Sequence, residues 1–148
     1  MRQKINIPYV NLAAQYSLEK DELLKEIDFV LSSGQYVGGK IVQNLENQIS
    51  KYVGVSDVVC LNSGTDALIL SLKALGINPG DEVITQANSF ISSTSVIKLI
   101  GATPVFADVT KDQLIDPDHI KTLITKKTKA IIPVHLTGRI AEMDKINR

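Results

Sequence analysis

The sequence predicts an α/β protein built in three layers, αβα, with a mainly parallel sheet in the middle. Three observations carry that expectation. Four short apolar runs, 57–61, the stretch beginning EVIT at 82, 104–109 and 130–135, read as buried strands. Segments with helical periodicity separate them, so each strand connects to the next by a crossover, and such connections make neighbouring strands parallel. Glycine, proline and capping residues punctuate the junctions. Helices must then cover both faces of the sheet.

The elements follow in order. Residues 17–33 read as a helix with Leu23, Leu24, Ile27, Val30 and Leu31 on one broad face. Glu19, Asp21 and Glu22 crowd its expected first turn and Gly34 follows its end. A second helix runs from Ile41 to Tyr52, buries Val42, Leu45 and Ile49, and stops at Gly54. After strand 57–61 comes a helix over 65–75 closed by Gly76, then the turn NPGD at 78–81. A short helix covers 92–99 and ends before Gly101, ahead of strand 104–109. Asp116 followed by Pro117 marks an N-cap and first helical position, with the helix running to Ile124. Strand 130–135 follows. The whole reads as one partial domain, 1–148, with residues 1–55 as an N-terminal helical arm.

Composition narrows the function classes. The chain has 148 residues and 44% hydrophobic content, enough for a packed core and too much for disorder. Lysine plus arginine equals aspartate plus glutamate at 16 each, so no basic footprint points to nucleic acid or an anionic membrane. The first residues, MRQKINIPYV, lack an apolar signal core, and no stretch is long enough to span a bilayer, so the expected location is the cytoplasm. The single cysteine, Cys60, lies in an apolar run and is expected to be a buried, inert thiol.

Ligands of parallel α/β sheets bind beyond the strands' carboxyl ends. Three segments leave those ends: NSGT (62–65), QANSF (86–90) and HLTGR (135–139). NSGT places small hydroxyl residues at a helix start, where unpaired backbone N–H groups and the helix dipole favour an anion. By itself the pattern favours a plain N-cap by Ser63 or Thr65. Convergence of three loops favours a phosphate. GQYVGGK (34–40) matches the G-x-x-x-x-G-K skeleton of a nucleotide-binding loop, but Ile41 stands where the Mg²⁺-binding hydroxyl belongs. It also follows a helix rather than a strand, so it is rejected.

The succession IPYVNLAAQY, SGQYVGGKIVQNLE, NSGTDALILSLKALGINPGDEVIT, SFISSTSVIKLIGATPVFADV and LIDPDHIKTLITKKTKAIIPVHLTG resembles the DegT/DnrJ/EryC1/StrS family of sugar aminotransferases over nearly the whole chain. The resemblance implies the N-terminal part of the large domain of a fold-type-I enzyme dependent on pyridoxal 5'-phosphate. It further implies a homodimer that moves an amino group from an amino acid, glutamate for choice, to a nucleotide-linked keto-sugar. Within it, Ser63, Gly64 and Thr65 take the cofactor phosphate, Phe90 stacks on the pyridine ring, and Tyr36 lies near the sugar nucleotide or the dimer contact. Core packing explains Phe90 as well without the resemblance, and surface anchoring explains Tyr36. His135 reads as a satisfied structural histidine, and Lys126, Lys127 and Lys129 as a solvated turn.

Two departures qualify the resemblance. Thr137 stands where the family usually has an aromatic residue. The family's pyridinium-pairing aspartate and Schiff-base lysine belong to segments later than Arg148, so the 148 residues alone are expected not to transaminate. Related readings are a pyridoxamine-phosphate-dependent sugar dehydratase, with histidine in place of that lysine, and a non-catalytic remnant that binds a phosphate ligand or a partner.

Overall fold

The computed structural model describes residues 7–148, so the first six residues of the expected helical arm lie outside the described residues. The chain falls into two compact units, Met1–Cys60 and Leu61–Arg148.

The first unit holds α1 (Leu12–Ser33) and α2 (Gly39–Val53). Helix α1 starts at Leu12 rather than at residue 17, because Asn11 caps it by accepting the Ala14 N–H at 3.1 Å. Leucine, alanine and glutamine then propagate it well. Glu19, Asp21 and Glu22 therefore sit beyond the first turn, which contains no acidic residue. The ends are as expected: Gly34 and Gly54 adopt the left-handed conformation and donate to Leu31 O and Ser50 O. Burial departs from expectation. Neither helix contains a buried residue, and Leu45 is 49% exposed. Amphipathic spacing identifies a face suited to packing, but it supplies no partner for that face.

Residues 57–60 run without regular structure and join no sheet, so the strand expected over 57–61 is absent. A strand exists only beside a hydrogen-bonded neighbour, and among the described residues none pairs with this run. Cys60 is half-buried rather than buried, and its N–H donates to Glu46 Oε1 at 2.8 Å.

The second unit contains α3 (Gly64–Ala74), β1 (Glu82–Gln86), α4 (Ser92–Leu99), β2 (Thr103–Ala107), α5 (Pro117–Leu123), β3 (Thr128–Ile132) and α6 (Met143–Ile146). Its sheet has three strands in the order β2-β1-β3, all parallel. Val83 faces Pro104 on one side and Ala130 on the other; Ile84 faces Val105 and Ile131. Pro104 is tolerated because β2 is an edge strand in this sheet. Strand β3 stops at Ile132, so His135 lies beyond it rather than at its end.

The side-chain alternation of β1 divides the core in two. Val83 packs with Leu72, Ile77, Val96, Ile97 and Ala102, which puts α3 and α4 on one face. Ile84 packs with Ala107, Ile115, Ile120 and Ala141, with Met143 and Ile146 against them, which puts α5 and α6 on the other. This is the three-layer αβα arrangement. The connection from β1 to β2 passes over one face, and that from β2 to β3 passes over the opposite face. β1 therefore lies where the chain reverses its direction across the sheet, and its carboxyl end opens on the crevice such a reversal leaves.

Ile84 is wholly buried between β2, β3 and the second-face helices, whereas Leu99 at the end of α4 is 70% exposed. Ile84→Ala is expected to lower unfolding free energy by about 2–5 kcal/mol, and Leu99→Ala to stay within about 0.5 kcal/mol. Urea denaturation of both variants measures the contrast.

Candidate functional site

The carboxyl ends of β1, β2 and β3 are joined by one side chain. Gln86, the last residue of β1, is completely buried. Its Nε2 donates to Asn88 Oδ1 at 2.9 Å and to Gln113 O at 3.3 Å. Its Oε1 accepts the N–H of Ile115 at 3.1 Å and of Val134 at 3.4 Å. Asn88 Nδ2 donates to the same Gln113 carbonyl at 3.0 Å. One amide thus ties the loop after β1 to those after β2 and β3, with both donors and both acceptor positions used.

The two non-glycine residues with positive φ among the described residues, Gln113 (64°) and Thr137 (53°), lie in the loops after β2 and β3. The left-handed conformation is costly for a β-branched residue such as threonine. Arg139 reaches from the Thr137 loop and donates to Asp112 O at 3.0 Å, next to Gln113. His135 is exposed, and its Nδ1 accepts the Ala141 N–H at 3.1 Å. That bond ties its ring to the backbone at Ala141.

Helix α3 begins beside these loops. Ser63 is its N-cap: Ser63 Oγ accepts the Asp66 N–H at 3.1 Å and donates its own hydrogen to Asp66 Oδ2 at 2.8 Å. The capping reading thus holds for Ser63, whose hydroxyl is spent within the helix start. Thr65 is different. Its Oγ1 lies 2.8 Å from Ser92 Oγ, at the first residue of α4. Two helix starts, and two positive dipole ends, meet at this hydroxyl pair.

Gly64 is the first residue of α3, has no positive φ, and a Cβ built there would meet nothing within 4 Å. Neither its backbone angles nor a neighbouring atom requires glycine, so its smallness keeps open the space over the helix start. Phe90 precedes Ser92 by two residues and is 74% exposed, so it belongs to neither core cluster. Tyr36 belongs to the first unit, where it is 66% exposed and its hydroxyl donates to Leu31 O at 3.2 Å.

The ionisable groups with resolved shifts lie elsewhere. Lys121 holds the Asp118 carboxyl below its ordinary value, and Glu142 raises the Lys145 amine. Among the described residues no cluster of side chains could hold a metal ion, and no helix is long and apolar enough to cross a membrane. Sequence reasoning missed Gln86, Ser92 and Gln113 as parts of this edge. A visible signal existed for Gln86 alone, as a polar residue closing the apolar run VIT.

An open parallel sheet with two helix starts converging at its carboxyl edge defines an α/β domain with a crevice beside its central strand. Residues 17–148 match the DegT/DnrJ/EryC1/StrS aminotransferase family, and the chain belongs to it. It is 39% identical over 143 residues to a protein of Geobacillus stearothermophilus named pleiotropic regulatory protein, covering 96% of this chain and 38% of that one. It is 39% identical over 142 residues to the UDP-2-acetamido-2-deoxy-3-oxo-D-glucuronate aminotransferase of Pseudomonas aeruginosa, covering 95% and 40%. Among solved structures, NtdA of Bacillus subtilis with bound cofactor PMP superposes with a TM-score of 0.92 at 35% identity, covering 98% of this chain and 34% of that one. The chain therefore spans about two fifths of the length of these curated relatives.

Replacing Gln86 by leucine keeps its bulk and removes all four hydrogen bonds. Each buried group left without a partner costs about 1–3 kcal/mol. Amide hydrogen exchange is expected to accelerate at Ile115 and Val134 in Gln86→Leu, while exchange at Ile97, on the opposite face, changes only by the global loss of stability.

Proposed function

We propose that the chain is the cofactor-phosphate-binding part of a pyridoxal-phosphate-dependent aminotransferase acting on a nucleotide-linked keto-sugar. One observation carries the reading: the Thr65–Ser92 contact brings the loop bearing Phe90 to the small-residue start of α3, in a chain of this aminotransferase family. Bound there, the cofactor supplies the carbonyl and the electron-withdrawing ring through which an amino group passes from donor to acceptor.

The residues fit such a group. The open space over Gly64 admits a phosphate close to the main chain. The N–H groups of Gly64 and Thr65 have no acceptor among the described residues, as expected at a helix start. Thr65 adds a hydroxyl donor. Ser63 shapes this start through its cap and draws the Asp66 carboxylate onto its own hydroxyl, with Asn62 Nδ2 a second donor at 3.3 Å. That arrangement gives the one carboxylate in the first turn of α3 two hydrogen-bond donors. Phe90 offers an exposed aromatic face for a flat, electron-poor ring.

In the whole protein we assign Tyr36, between α1 and α2, to the sugar-nucleotide or subunit contact. The amino donor is an amino acid, glutamate by family resemblance; the assembly is a homodimer, and its place is the cytoplasm. Residues 1–55 serve as a helical arm of the same domain. The name of the Pseudomonas aeruginosa relative supports the substrate class, and the cofactor in NtdA supports the cofactor. We infer from the family resemblance that the 148 residues by themselves do not transaminate.

In a full-length protein carrying this chain, Thr65→Ala is expected to weaken cofactor binding by about 1–3 kcal/mol, the worth of a charge-assisted hydrogen bond. Gly64→Val fills the open space and is expected to do more harm. Phe90→Leu should alter cofactor absorption or retention, and Phe90→Tyr should be mild. Spectroscopic titration with pyridoxal 5'-phosphate reads all four, and unchanged affinity in both Thr65→Ala and Gly64→Val would refute the assignment. For the 148 residues alone, borohydride reduction with the cofactor should label lysines only in scattered, substoichiometric fashion. Stoichiometric labelling of one lysine, with amino transfer to a keto-sugar nucleotide, would contradict the last assignment.

A further inference from the structure

The hydroxyl of Ser92 has one hydrogen-bond partner among the described residues, Thr65 Oγ1 at 2.8 Å. Ser92 is 8% exposed, so bulk water is no ready substitute. Each hydroxyl in the pair has a single hydrogen, and the heavy-atom geometry allows either to be the donor. An anion over the start of α3 removes that ambiguity. If Thr65 donates to a phosphate oxygen, its Oγ1 is left as an acceptor, and the Ser92 hydrogen must point to it. The opposite orientation would turn a lone pair of Thr65 toward the anion, a repulsive contact.

We infer that Ser92 is a positioning residue for the phosphate site: it donates to Thr65 Oγ1 and so directs the Thr65 hydrogen at the anion. The inference rests on the phosphate-site reading proposed above. Ser92 touches neither the anion nor the ring in this role and acts only through Thr65. A hydroxyl that already accepts a hydrogen bond is a better donor, because the chain Ser92–Thr65–phosphate polarises in one direction. The contact also fixes Thr65 Oγ1 between two helix starts, so its rotamer is set before the ligand arrives. Ser92 lies at the first position of α4, and the buried Ser93 that follows it makes no such contact to Thr65. The role therefore belongs to this one hydroxyl and not to the polar run S-S-T as a whole.

A double-mutant cycle tests it in the full-length protein, with pyridoxamine 5'-phosphate as probe because it forms no adventitious adduct with lysine. Its ring fluorescence reports the dissociation constant, and unphosphorylated pyridoxamine is the control. Ser92→Ala is expected to weaken pyridoxamine 5'-phosphate about three- to tenfold, the worth of one hydrogen bond, and to leave pyridoxamine unchanged. In a Thr65→Val background, Ser92→Ala should be silent, since the group it acts through is gone. Ser92→Thr, which keeps the hydroxyl, should restore near-parental affinity. Ser92→Cys is close to isosteric and a weak donor; it should repeat the loss and stands in if the alanine variant does not fold. Parental affinity in Ser92→Ala, or an equal loss with and without Thr65, would overturn the inference while leaving the phosphate site intact. Unchanged affinity in the single variant Thr65→Val would also overturn the inference, and unchanged affinity in Gly64→Val as well would remove the phosphate-site reading with it.

Discussion

Everything at the carboxyl edge of the sheet depends on the buried amide of Gln86. A parallel sheet delivers all its strand ends to the same side, where the connecting loops carry unpaired backbone groups that helices cannot satisfy. Here one side chain from the central strand accepts from two of those loops and donates to a third point on them. Loss of any partner would leave a fully buried polar group, and such groups are expensive. The positive φ of Gln113 belongs to the same arrangement, since it presents the carbonyl that both Gln86 and Asn88 use. The strain at one residue is offset by two hydrogen bonds, one of them from a side chain with no access to water.

That fixed edge gives meaning to a contrast between two helix starts. Helix α5 has an anion of its own: Asp116 Oδ1 accepts the N–H groups of Asp118 at 2.9 Å and His119 at 3.4 Å. Helix α3 starts on a neutral serine, whose hydroxyl takes the Asp66 N–H, followed by a glycine with open space above it. Both starts obey the same electrostatics, but α5 satisfies its donors internally while α3 keeps donors facing outward. The hydroxyl pair of Thr65 and Ser92 adds a second helix start to the same point. The proposed phosphate site rests on the donors left open at α3, not on the presence of a helix terminus as such.

Much of this was legible in the sequence, and each departure has its own physical cause. Helix α4 and the Asp116-Pro117 start of α5 fall where periodicity and capping chemistry place them, because those signals are local. The start of α1 was misplaced because Asn11 outweighs the acidic cluster at 19–22 as a boundary marker. The strand at 57–61 failed for a different reason: apolar composition says that a segment wants a neighbour, and only tertiary structure says whether one pairs with it. The same holds for the apolar faces of α1 and α2, which the spacing reveals and the structure leaves open. At the site, NSGT announced a helix start, and Ser63 caps it. Ser92 and Gln86 gave no such local signal of their roles, since these depend on hydrogen bonds to residues 27 and up to 48 positions away.

The central claim is that the start of α3, not helix starts in general, receives a phosphate. Backbone amide chemical shifts of the protein during titration with pyridoxamine 5'-phosphate test this most directly. The account predicts that the resonances of Gly64 and Thr65 move most, followed by those of Phe90 and Ser92, while Asp118 and His119 at the capped start of α5 stay in place. Equal movement at the two helix starts, or saturation with Gly64 and Thr65 unmoved, would contradict it.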